Sequence, residues 1–175
     1  ALVHDWIPLI AGAERVLQQM ANCAPGSDIF TLFNFLPEET ARNFFGADHR
    51  IITSSLNDLP LVEQYYRFLL LQSTRAIEAF DLSEHDVVLS SSAALAKGVI
   101  TGPGQLHVSY VHSPARYAWD LTHEYIATVG GKLGGLKRAV AREMMHRFRL
   151  WDMRTAQSVD HYLANSQFIA RRIWK

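Results

Sequence analysis

The chain contains one cysteine, Cys23, so neither an internal disulfide nor a cysteine-based zinc site is open to it. That residue is expected as a small buried hydrophobe on a helix, and the scarcity of cysteine fits a reducing, cytoplasmic compartment. Charge of one sign is lacking too: 17 Lys and Arg offset 17 Asp and Glu, for a formal net charge of +0. Non-specific nucleic-acid binding needs a basic excess, so nucleic acid is not an expected partner. No apolar run reaches the length of a membrane span. Several signatures are also missing. Without G-x-G-x-x-G a dehydrogenase-type dinucleotide site is disfavoured, and without G-x-x-x-x-G-K-[ST] a P-loop is excluded. The absence of G-x-S-x-G argues against the usual α/β serine hydrolase, and no H-E-x-x-H or comparable spacing supports a metal site.

What is present is an ordinary globular composition, 49% hydrophobic over 175 residues, enough for one domain with a sizeable core. Short apolar strands are expected at residues 1–4, 28–33, 50–53, 86–89, 106–111 and 161–164. Between them, helical spacing marks residues 13–21, a long segment at 61–80, a short helix at 93–97 closed by Gly98, and a long helix reaching about residue 159. That last helix follows a glycine-rich loop at 130–135 and carries Leu136, Val140, Met144, Phe148 and Trp151 as its apolar stripe. Ser166 is the expected N-cap of a final helix. A Pro-containing polar loop fills the region after residue 33. Strands alternating with helices imply an α/β doubly wound, mainly parallel sheet of about six strands, with helices on both faces. The first residues already read as a strand without an initiator methionine, and the last stop inside a helical pattern, so the chain is expected to be a fragment of a longer protein.

In such sheets ligands bind beyond the carboxyl ends of the strands. The residues expected there are Asp5, Trp6, Gly12, Ser90 to Ser92, His112 to Arg116, Asn165 and Ser166. Gly12 either admits a phosphate to a helix N-terminus or serves a tight turn. Ser92 and its two neighbours either bind ligand oxygens or cap the next helix. In YVHSPARYAWD the X-Pro bond holds Ser113 extended, which fixes the backbone beside His112. His112 can donate or accept a hydrogen bond, and Arg116 can pair with phosphate or carboxylate. The competing reading has His112 bonded to a carbonyl, with Tyr117 and Trp119 in the core. Lys132, Lys137, Arg138, Arg142, Arg147, Arg149 and Arg154 face only Glu143 and Asp152 on the long helix. Such a face is either solvated or drawn to an anionic membrane surface or a pyrophosphate-bearing acceptor.

The blocks HDW…GAERVL, FDLSEHDVVLSSSAALAKGVI, YVHSPARYAWDLTHEY, RLWD and VDHYLANSQFIARRI, in that order, resemble the amino-terminal domain of a retaining glycosyltransferase of family 4. They are similar in particular to mannosyltransferase-like enzymes of bacterial O-antigen and exopolysaccharide synthesis. The resemblance implies a GT-B enzyme of which residues 1–175 form the Rossmann-like, acceptor-side domain, the donor-binding domain lying outside this chain. It implies a nucleotide-sugar donor as co-substrate and no further cofactor, a glycan or lipid-linked acceptor, and peripheral contact with the inner membrane surface. It sets Gly12 and Ala13 against the donor phosphates and His112 near the transferred sugar; Ser92, Arg116 and Ser166, from the same rim, are expected as further substrate contacts. The family's loop has two adjacent glycines, and here Ala11 replaces the first. The chain by itself is expected to be inactive. The reading from a different class is a non-catalytic α/β module that binds a sugar or a nucleotide.

Overall fold

The computed structural model describes residues 1–130 and 134–174. Six strands, β1 (Leu2–His4), β2 (Ile29–Thr31), β3 (Ile51–Thr53), β4 (Val87–Ser92), β5 (Leu106–Val111) and β6 (His161–Ala164), form one sheet. Every pairing is parallel, and the spatial order is β3-β2-β1-β4-β5-β6. The helices are α1 (Gly12–Cys23), α2 (Glu38–Phe45), α3 (Leu70–Glu78), α4 (Thr122–Thr128), α5 (Gly134–Ala156) and α6 (Gln167–Trp174). This is a Rossmann-like doubly wound fold, as expected, and its strand order reverses between β1 and β4.

Side-chain alternation along the strands sorts the apolar residues into two cores. Leu2 and Ile29 join Leu17, Ala21, Ala41 and Phe45 beneath α1 and α2. Val3, Phe30 and Val88 join Ile77, Phe148 and Trp151 on the other face, where α3 and α5 pack. Both faces are covered, which a parallel sheet requires. Among the described residues no helix is long and apolar enough to cross a membrane.

Several expected elements take a different form. The segment 61–80 is not one helix: it opens with 3-10 turns at Val62–Gln64 and Tyr66–Phe68, and α3 starts only at Leu70. Leu61 has a left-handed backbone (φ 55°), and the buried Tyr66 ring is held by Trp6, Phe33 and Phe35 at 5.3–5.7 Å. Those contacts draw the chain off a straight helical path. The expected loop after β2 contains α2, whose Ala41 and Phe45 sit four residues apart and pack inward. Cys23 is not in the core; it ends α1 and is exposed. Helix α5 stops at Ala156, and of its expected stripe Phe148 and Trp151 are buried while Leu136 and Val140 are exposed. A helix of that length spans ~35 Å against ~20 Å for a six-residue strand, so its amino-terminal half outruns the sheet. The 130–135 loop falls partly, and Lys132 wholly, outside the described residues.

The segment 93–97 is not a helix either, and only a 3-10 turn at Ala96–Gly98 follows β4. Gly98 has a steric role there: an added Cβ would land inside the Trp151 ring, which Glu78 holds through its indole N–H at 2.8 Å. Gly98→Ala should therefore lower the unfolding free energy by about 1–3 kcal/mol, as overpacking of a filled core does, in chemical denaturation. His107 makes a second prediction. It is fully buried on β5 and pairs with the Ser90 hydroxyl at 2.9 Å. Burial pushes its imidazole down to about 4, against the opposing pull of neighbouring groups such as the Asp160 carboxylate. The fold thus holds it neutral, while the unfolded chain takes up a proton below its ordinary value of 6.5. Stability should fall by about 3 kcal/mol in total between pH 6.5 and 4 from this group. That loss should shrink in His107→Gln when denaturation at neutral and mildly acidic pH is compared.

Candidate functional site

The carboxyl ends of β1, β4 and β5 lie side by side where the strand order reverses. Asp5, the residue after β1, is 2% exposed and sends its carboxylate across to the segment after β4. Its two oxygens accept the backbone N–H groups of Ala93, Ala94, Leu95 and Ala96 at 2.7, 2.8, 2.8 and 2.5 Å. A carboxylate on a neighbouring strand thus performs the capping expected of Ser90 to Ser92.

The three serines are released for other work. They continue β4, so their side chains alternate between faces. Ser90 bonds His107, as described. Ser92 is buried, and its hydroxyl accepts the Lys97 N–H at 3.4 Å. Ser91 lies between two histidines, 3.0 Å from Nδ1 of His4 and 2.8 Å from Nε2 of His112.

Hydrogen-bond accounting assigns the protons in this cluster. Nδ1 of His4 is also 3.0 Å from the Ser91 carbonyl oxygen, which can only accept, so Nδ1 carries a hydrogen. The single Ser91 hydroxyl proton is then free to go to Nε2 of His112. Burial, followed by the neighbouring His4, pulls the His112 imidazole below its ordinary value, which favours the neutral ring. The arrangement that satisfies every group has His112 protonated on Nδ1. Behind His4, Nε2 is 3.9 Å from Glu14 Oε1, and Glu14 Oε2 accepts the Ala11 N–H at 3.0 Å. Burial works to raise the Glu14 carboxyl, but the neighbouring His4 and the backbone N–H groups around it hold it below the ordinary value. Glu14, His4 and Ser91 are all nine-tenths or more buried, whereas His112 is half-buried. The chain Glu14–His4–Ser91–His112 therefore runs from the interior to the rim.

The expected site residues fall in different places around this chain. Gly12 and Ala13 form the open first turn of α1, two residues and one residue before Glu14. A Cβ added at Gly12 would meet nothing within 4 Å, so no local packing requires glycine there. Ser166 caps α6, its hydroxyl accepting the Ile169 N–H and donating to Asn165 Oδ1, each at 3.2 Å. The Asn165 amide in turn donates to the His112 carbonyl at 3.0 Å, which brings that turn beside His112. Arg116 is exposed and has no side-chain hydrogen bond or ion pair among the described residues. Trp119 is not core: it is 37% exposed, and its indole N–H donates to Asp152 at 2.7 Å. Asp152 also holds Lys97 at 2.6 Å and so ties α5 to both loops. A groove of about 540 Å³ opens past the ends of β1 and β2, lined by Pro8, Leu9, Phe35, Tyr66, Arg67 and Phe68.

Sequence reasoning passed over His4 and Glu14 as members of the site, whereas Ser91 was expected on the rim as one of the three serines after the strand. His4 and Glu14 sit in apolar periodicities that read as strand and helix, and only the register His4↔Ser91 brings them together. No family model, no curated protein and no solved structure matches the chain.

The proton assignment is testable on the chain itself. In ¹⁵N spectra, Nε2 of His112 should resonate as an unprotonated acceptor nitrogen near neutral pH. Ser91→Ala should release it into a mixture of tautomers. An unchanged His112 spectrum in that variant would refute the assignment.

Proposed function

We propose that the chain is the acceptor-binding half of a retaining GT-B glycosyltransferase. The full-length enzyme would move a hexose, mannose being the closest fit to the resemblance, from a nucleotide sugar to a glycan or lipid-linked acceptor of a cell-surface polysaccharide. The observation that carries this reading is the convergence at the strand-order reversal. A half-buried histidine presenting an N–H donor stands there beside an open helix turn at Gly12 and Ala13. Open N–H groups at a helix start suit a departing diphosphate. A fixed neutral imidazole suits a sugar hydroxyl or a developing charge on the leaving oxygen. The aromatic groove past β1 and β2 is the natural seat for the acceptor, since sugar faces pack on rings while polar rims orient them.

Catalysis on this reading rests on positioning and electrostatics, with no side-chain nucleophile called for. His112 is the residue closest to the reacting atoms. Arg116 is free to meet acceptor or donor oxygens, whereas the Ser92 hydroxyl is occupied by the Lys97 N–H and the Ser166 hydroxyl by the Ile169 N–H and Asn165, so both serines support their turns. The donor half of the cleft belongs to a second domain, so the 175 residues alone should not turn over. Localisation at the cytoplasmic face of the membrane follows from the same reading.

A donor screen on the full-length protein, with nucleotide-sugar hydrolysis and transfer as readouts, tests this. His112→Ala should lower transfer by roughly a hundredfold with one donor, the scale of losing a positioned donor in a dry site. Wild-type rates in that variant would remove His112 from the mechanism. Reversible sugar-nucleotide binding without turnover of any donor would favour the non-catalytic module instead.

A further inference from the structure

Away from the His112 cluster, α4 and the amino-terminal part of α5 enclose a groove of about 500 Å³. Thr122 and His123 line it from α4, and Arg142, His146 and Arg149 line it from α5, at a spacing that keeps them on one helix face. The sole acid in the wall, Glu143, is held by Arg147 at 2.6 Å, which offsets its charge. Two further cations of α5 have partners as well. Arg154 pairs with Glu78, and Arg138 donates to the Val129 carbonyl at 2.9 Å. Arg149 spends one N–H on the Ala118 carbonyl at 2.8 Å and keeps the rest of its fork. Arg142 has no hydrogen bond or ion pair among the described residues, although it faces the groove.

A second observation is independent of charge. The Thr122 hydroxyl is buried and has no hydrogen-bond partner among the described residues. A buried polar group without a partner is costly and rare in folded proteins. A water would satisfy the hydroxyl but would leave the converging cations unexplained. Side chains with donors, from His123, Arg142, His146 and Arg149, line one space, and the Thr122 hydroxyl lies buried in its wall. A carboxylate offers two oxygens to that set, whereas a phosphate or diphosphate offers more and matches the guanidinium fork. The volume lies within the range of pockets that take a small ligand.

We propose that the groove between α4 and α5 binds the phosphate or diphosphate group of a ligand, with Arg142 as its principal contact. The group is carried either by a free molecule or by a lipid headgroup. The site stands apart from the Glu14–His4–Ser91–His112 chain and does not depend on the transferase reading.

Calorimetric titration of inorganic pyrophosphate into the chain tests it without any sugar transfer. Arg142→Ala should weaken binding by roughly tenfold or more, the scale of a lost charge-assisted contact. Lys137→Ala, an exposed cation outside the groove, should leave binding within about twofold. Sedimentation with phosphatidic acid vesicles, against phosphatidylcholine vesicles, separates the two sources. Vesicle binding that is lost in Arg142→Ala and displaced by pyrophosphate assigns a lipid headgroup, and pyrophosphate binding without vesicle binding assigns a free ligand. The proposal is overturned if neither probe binds, or if Arg142→Ala and His146→Ala leave pyrophosphate affinity unchanged. Equal weakening by Arg142→Ala and Lys137→Ala also overturns it, since that marks diffuse charge and not a site.

Discussion

Everything at the rim depends on the carboxylate of Asp5. Four consecutive-residue N–H groups leave β4 with no helix to receive them, and one buried side chain from the adjacent strand accepts all four. Unmet, those groups would each carry a desolvation cost of about 1–3 kcal/mol. The carboxylate, buried without a counter-ion in hydrogen-bonding contact, needs those same four donors to be tolerated. Neither side of the arrangement is stable without the other, so β1, β4 and the turn after β4 are fixed as one unit. That unit sets where Ser91 sits, and Ser91 sets the state of His112.

The three serines show how finely a parallel sheet can divide similar residues. One residue type repeated three times in β4 meets three different partners: Ser91 faces away from Ser90 and Ser92, and those two lie at different heights on the same face. Ser90 turns to His107 beneath α5, Ser91 to His4 and His112 beneath α1, and Ser92 to the Lys97 N–H. A slip of one residue in the β1–β4 register would put Ser91 against the wrong face and dissolve the cluster. Register is secured by the apolar pairs around it, Leu2 facing α1 and Val3 facing α3 and α5. The hydrophobic pattern therefore determines the geometry of the polar site, although it contains no polar residue itself.

This explains what was legible in the sequence and what was not. Strand positions, the parallel architecture and His112 at the end of β5 follow from short apolar runs and turn residues, all local signals. Helix α2 was hidden because only Ala41 and Phe45 mark its buried side. The 61–80 region misleads because its apolar spacing suits a helix, while the aromatic contacts of Tyr66 are long-range. His4 and Glu14 escaped for the same reason, each being a polar residue inside an apolar pattern whose partner lies on another element. Asp5 and Ser92 were recognised as rim residues, but their work is structural, and only the three-dimensional pairing distinguishes that from ligand contact.

The polar residues buried at the strand-order reversal run against what the fold would choose for stability. Glu14, His4, Ser91 and Ser90 occupy positions where aliphatic side chains would pack without desolvation cost. Proteins tolerate such departures where a site has to be held in a fixed chemical state. The geometry here shows how the departure is contained along Glu14, His4 and Ser91: each has a partner within that chain, and only His112 reaches half-exposure. A cluster satisfied everywhere but at its outermost ring leaves one donor, Nδ1 of His112, available to a ligand. Preorganisation of that kind removes the reorientation a free imidazole would undergo on binding, so a ligand at this rim would meet a donor already aimed and already in one tautomer.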